Sequence, residues 1–178
     1  MWVFPLNFKN IHQVFKNSKN LLLVLVFFTS NLAVLNLNSS AIAQPTTPLK
    51  QRPAIANERD QKFIHSLVKT TLIAVNQGNL TGNYSVLRDL GNLAFVQKNS
   101  SADLAVVFAN FRRNNIDFSG IVESTPIFTQ VPIINAQNIV RTTGYFPTTP
   151  NIQFDIIYQL VGKRYRIDSI SVGTPKAN

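Results

Sequence analysis

Residues 151–172 read NIQFDIIYQLVGKRYRIDSISV, and apolar and polar residues alternate along most of the stretch. Alternation with period two fits an extended strand, whose side chains point to opposite faces in turn, and does not fit a helix. Gly162–Lys163 interrupts the pattern, and a two-residue turn there folds it into an antiparallel hairpin of strands 151–161 and 164–172. Paired about that turn, Val161 faces Arg164, Tyr158 faces Ile167 and Ile156 faces Ser169. One face then collects Ile152, Phe154, Ile156, Tyr158 and Leu160 with Tyr165, Ile167, Ser169 and Ser171. A face this apolar needs a second layer over it.

The upstream sequence supplies that layer as helices. Ile64, Leu67, Val68, Thr71, Leu72 and Val75 recur on one helical face, so the spacing predicts a helix over 57–77, capped by Asn57 and ended by Gly78. A second helix is predicted at about 83–97, with Tyr84, Leu87, Leu90 and Ala94 inward. A third follows the SSAD cap at 100–103, with Leu104, Val107, Phe108 and Phe111 inward. Arg112 and Arg113 fall in its last turn, where cations complement the helix dipole. After Asn115 the pattern turns to β. The stretch 120–134 is broken by Pro126 and Pro132 and suits an edge strand. A further strand covers 137–146, and PTTP at 147–150 makes a turn. The expectation is an α+β domain over 57–173, with three helices packed on an antiparallel sheet of about four strands and a short tail at 174–178.

The first 43 residues stand apart. Lys9, Lys16 and Lys19 precede the apolar run LLLVLVFF, and AIA closes the segment at 41–43. A basic start, an apolar centre and small residues at a cleavage site read as a secretory signal peptide. Cleavage after Ala43 is the favoured reading, and an uncleaved membrane anchor is the alternative. Thr29, Ser30, Asn31 and Asn36 interrupt the run well short of the roughly 20 apolar residues a spanning helix needs. Residues 44–56 hold three prolines and no periodicity, as a linker does. The protein is therefore expected to be exported, periplasmic or extracellular.

Composition narrows the chemistry. The 178 residues contain no cysteine, which excludes disulfides, a lipoprotein anchor and thiolate metal sites. Removing Lys9, Lys16 and Lys19 from the 17 basic residues leaves 14 against 8 acidic ones, a net charge of +6. That favours weak contact with anionic surfaces. The basic residues are scattered and lack the aromatic interleaving of a nucleic-acid platform, so no nucleic-acid partner is expected. His65 is the one histidine after the signal segment. No metal site, phosphate loop, serine triad or cofactor site can be built, and no residue is assigned a catalytic role.

Two candidate surfaces remain. With PTTP as a four-residue loop, Arg141 faces Ile156 and joins Tyr158, Tyr165, Ser169 and Ser171 on the helix-facing side. An arginine fork with hydroxyl groups around it can hold a small anion. On the opposite side Ile157, Ile170 and Val172 lie among Asp155, Asp168, Arg164 and Arg166. An apolar centre with a charged rim suits a homodimer interface; the carboxylates there read as a surface charge lattice.

Helices first, then a long antiparallel meander ending in FDIIYQLVGKRYRIDSISV, resembles the nuclear transport factor 2-like superfamily, the α+β cone fold. The resemblance covers roughly residues 57–173. It implies a curved sheet, a pocket between sheet and helices, and in many members a dimer through the other sheet face. It implies either a binding module or an isomerase or dehydratase. The superfamily's enzymes carry an acid with a histidine or tyrosine in the cone, and no acid of this hairpin falls on the predicted inner face. A non-catalytic exported module binding an anionic small molecule or an envelope protein is the leading reading. An enzyme of the cone superfamily and a purely structural domain are the alternatives.

Overall fold

The computed structural model describes residues 51–175 and, as backbone, the strand Leu21–Leu25. The expected signal peptide and its cleavage site, the linker up to residue 50 and the last three residues of the tail otherwise lie outside the described residues.

The chain is α+β, with helices packed against an antiparallel sheet. Helix α1 runs Glu58–Thr81. Asn57 caps it by accepting from the Asp60 backbone N–H, and Asp60 accepts in return from the Ala56 N–H at 3.2 Å. The Asn57 bond satisfies a donor that the first turn leaves orphaned. The helix ends at Gly82, whose φ of 75° is a left-handed conformation glycine adopts without a steric penalty. The expected stop at Gly78 is thus corrected by one turn. Gly78 stays inside the helix because the Tyr84 ring lies against its Cα, where a Cβ would overlap the ring.

The two further helices expected are each split. The first becomes α2 (Ser85–Asp89) and α3 (Leu93–Lys98), because Leu90–Asn92 is drawn out along the sheet. Ala94, expected inward, is exposed, and Phe95 is buried in its place. The second becomes α4 (Ser101–Val107) and α5 (Ala109–Arg113), and the expected Ser100 cap forms a full capping box with Asp103. Leu104, Phe108 and Phe111 are buried as their spacing predicts. A 3₁₀ turn at Ser119–Ile121 leads into the sheet.

Three long strands form the body of the sheet: β5 (Ile139–Phe146), β6 (Ile152–Val161) and β7 (Arg164–Pro175). The proline-broken edge appears as two short pieces, β3 (Ile127–Phe128) and β4 (Ile133–Ile134), both paired with β5. Arg52–Pro53, β2, adds to β4, so part of the expected linker joins the sheet. Leu21–Leu25, β1, pairs with the far end of β7. The order is β1-β7-β6-β5-β4-β2, with β3 continuing the β4 edge.

Gly162, at φ 63°, opens the expected two-residue turn, and Val161 pairs with Arg164 and Tyr158 with Ile167. Beyond that point the expected register fails. A bulge at Asp168 lets Ile157 pair with Ser169, Ile156 with Ile170 and Phe154 with Val172. One inserted residue exchanges the two faces of everything after it. Ile170 and Val172 consequently turn to the helices and lie in the core, at 1 % and 0 % exposure. The core they join contains Val68, Leu72, Tyr84, Phe95, Phe108, Phe111, Phe146, Phe154, Ile156 and Tyr158. A smaller cluster of Ala54, Ile64, Ile134 and Val140 closes the edge near β2.

Candidate functional site

The helix-facing side of the sheet is occupied by its own side chains. Tyr158 points there, as expected, and is fully buried. Its hydroxyl lies 3.0 Å from Thr71 Oγ1, which in turn donates to the Leu67 carbonyl at 3.0 Å. Burial pushes this phenol well above its usual range, with the Thr71 contact opposing only in part. A hydroxyl so held ties the sheet to helix α1. Tyr165 also faces the helices and packs its ring 5.9 Å from Phe63.

The other three residues expected beside them are elsewhere. The β5–β6 loop contains five residues, 147–151, so Phe146 pairs with Ile152 and Arg141 with Ile157. This slip of one residue sends Arg141 to the opposite face. The β7 bulge sends Ser169 and Ser171 there too, opposite Ile157 and Asp155. The expected five-residue anion site is therefore divided, two tyrosines on one side and Arg141, Ser169 and Ser171 on the other. The expected interface is divided likewise: Ile157 is half-buried on the outer face, whereas Ile170 and Val172 are in the core.

The slips assemble an arrangement that the sequence reading did not contain. Arg141 forms a bidentate pair with Asp155, Nε donating to Oδ1 at 2.9 Å and Nη2 to Oδ2. Thr143 Oγ1 donates to the same Oδ1 at 3.3 Å. The Asp155 side chain is 9 % exposed and that of Arg141 35 %. The hydrogen bonds to Asp155 hold the guanidinium even more firmly protonated than usual, against a smaller opposing effect of burial. Around the pair the registers lay out a polar ladder. Thr143, Asp155 and Ser171 form one row; Arg141, Ile157 and Ser169 the next; Tyr145, Gln153 and Gly173 the row on the other side. Gln153 Oε1 is buried in this field without a hydrogen-bond partner among the described residues. A buried acceptor left unpaired costs about 1–3 kcal/mol.

The expected lattice of Asp155, Asp168, Arg164 and Arg166 does not form. Asp155 takes Arg141, and Arg166 donates to the Asp89 carbonyl at 2.9 Å. Asp168 accepts from Asn92 Nδ2 at 2.7 Å. Asn92 was not singled out from sequence, yet its side chain has three roles. Nδ2 also donates to Gln159 Oε1 at 2.9 Å, and Oδ1 caps α3 by accepting from the Phe95 N–H. Its backbone N–H donates to the Ile167 carbonyl. The one available signal was its position before LAFVQK, where an asparagine is a good N-cap.

His65 lies half-buried with its ring 5.5 Å from that of Phe128. Burial lowers its pKa, and the neighbouring Lys69 charge lowers it further. Arg112 lies in the last turn of α5, as expected, and also ties helices together through the Tyr84 hydroxyl at 2.7 Å and the Ala105 carbonyl at 2.6 Å. Among the described residues no three of histidine, aspartate and glutamate gather as metal ligands. Compared with protein-family models, curated proteins and solved structures, the chain gives no match.

Proposed function

We propose that the chain is a non-catalytic, exported binding module of the cone kind, and that it engages a partner through the polar face of its sheet. The observation that carries this reading is the Arg141–Asp155 pair, its carboxylate buried and its guanidinium half-buried, at the centre of half-exposed polar residues and opposite a face that is packed with apolar side chains. A bidentate pair with one partner buried fixes geometry more than it adds stability. Tyr145, Ser169 and Gln153 around it offer hydroxyl and amide groups in fixed rows. The charge of Arg141 is already met by Asp155, so a pocket anion held by Arg141 is not part of the proposal.

Export is supported by the n-region lysines, the apolar run and the AIA site. The test is site-specific photo-cross-linking in the producing cells. A photoreactive residue at Tyr145 or Ser169 should give a discrete adduct in the extracytoplasmic fraction; the same residue at exposed Ser66 on α1 should give none. The cross-linked chain should begin at Gln44. Equal adducts from all three positions, or none from any, would refute the face; a chain that retains Met1 would refute export.

A further inference from the structure

We infer that the β7 edge from Ser171 to Pro175 is an acceptor site for an extended apolar strand supplied by another protein. This inference rests on the export reading above. β6 covers one side of β7 from Arg164 to Gly173. The other side is covered in two parts. Near its start, Ile167 donates to the Leu90 carbonyl and accepts from the Asn92 N–H, so the segment between α2 and α3 serves as a short parallel partner. Near its end, Leu21–Leu25 lies antiparallel in unbroken register, Leu21 with Pro175 through Leu25 with Ser171.

The second cover is the segment that export removes. Leu21–Leu25 is the start of the LLLVLVFF run, and cleavage after Ala43 takes it away. What remains is SVGTP, an edge with no charged residue and a single proline at its tip. Natural sheet edges are guarded by lysines, inward charges, bulges or prolines, because their free N–H and C=O groups recruit other strands. Val172–Thr174 carries no charge, bulge or proline. The first residues after the expected cleavage site, QPTTPLK, contain two prolines that cannot donate to a ladder. The strand seated there in the full chain is wholly aliphatic, LLLVL. An incoming strand in that register sets alternate residues beside buried Val172 and Thr174, where apolar side chains are favoured. The partner is thus an uncharged aliphatic stretch of about five residues, bound by strand addition.

The test uses the protein recovered from the extracytoplasmic fraction and a labelled, lysine-flanked LLLVL peptide. Saturable binding should appear by fluorescence anisotropy, and amide exchange should slow at residues 171–174. A peptide with alternate backbone nitrogens methylated keeps the side chains and loses ladder donors; it should bind at least roughly tenfold more weakly. Equal binding of the methylated peptide, or no added protection at 171–174, would overturn the inference. Concentration-dependent protection without peptide would also overturn it, assigning the edge to a second copy. If the recovered protein retains Met1, export fails separately. The edge is then tested in the full chain with Leu23→Pro, where protection at 171–174 should fall and the peptide should restore it; failure to restore it refutes the acceptor site.

Discussion

Replacing Arg141 by methionine keeps most of the side-chain volume and removes the fork that holds Asp155. The cost follows from the two exposures. Truncating one partner of a fully buried pair costs about 3–5 kcal/mol, because the other charge is stranded in a poor solvent. A pair at the surface is worth about 0–1 kcal/mol. Asp155 is near the first limit at 9 % exposure, and Arg141 is intermediate at 35 %. Thr143 still donates one hydrogen bond to the carboxylate. Arg141→Met is therefore expected to cost about 2 kcal/mol, which for a domain of this size lowers Tm by roughly 8 °C. Asp155→Leu should cost less, since the stranded guanidinium is nearer to water. Arg141→Met with Asp155→Leu should recover most of the loss, because an apolar pair on a strand face needs no compensation. Urea unfolding of the four proteins closes the cycle, with unchanged m-values certifying that the fold is the same. Additive single losses, with no coupling beyond about 0.5 kcal/mol, would show that the two side chains do not act as a buried pair in solution.

Ile170→Asp should abolish folding, because the side chain is 1 % exposed and a lone carboxylate there has no partner; a folded variant by circular dichroism would restore the outward register expected from sequence. Stability should also fall on acidification through His65. Its folded pKa is lowered, so the unfolded chain binds the proton first, and stability present above the unfolded value near 6.5 is lost as pH falls below it toward the folded value. His65→Gln should flatten the urea midpoint between pH 7.5 and 5; an unchanged slope would refute the assignment. Gly78→Ala should destabilise despite the better helix propensity of alanine, because the new methyl meets the Tyr84 ring, and a rise in Tm would refute that packing.

The hairpin from Ile152 to Val172, the stripe of α1 and both the Asn57 and Ser100 caps were legible in the sequence because each depends on neighbours within a few residues. What failed depended on single-residue counts. Asn151 belongs to the β5–β6 loop, and Asp168 is an inserted residue. Neither carries a local mark, yet each reverses the facing of a strand. The candidate site suffered most, since Arg141, Ser169, Ser171, Ile170 and Val172 all lie beyond one of these two positions. Gly78 misled for a related reason. A glycine that makes room for a ring from elsewhere looks, in one dimension, like a glycine that ends a helix. The break between α2 and α3 is set by pairing with Ile167, far along the chain.

That pairing affects how the molecule comes apart. Asn92 reaches residues 67 and 76 positions away, and the backbone on either side of it is bonded to β7. The helical layer is thus fastened to the sheet by directional bonds as well as by contact of oily surfaces. Sliding or peeling one layer from the other must break β-type hydrogen bonds and uncap α3 in the same event. Two layers joined only by apolar packing can loosen separately, as distinct cooperative units. Here they are bound to lose structure together, and the slowest-exchanging amides of α1 and of β6 should share a single opening free energy.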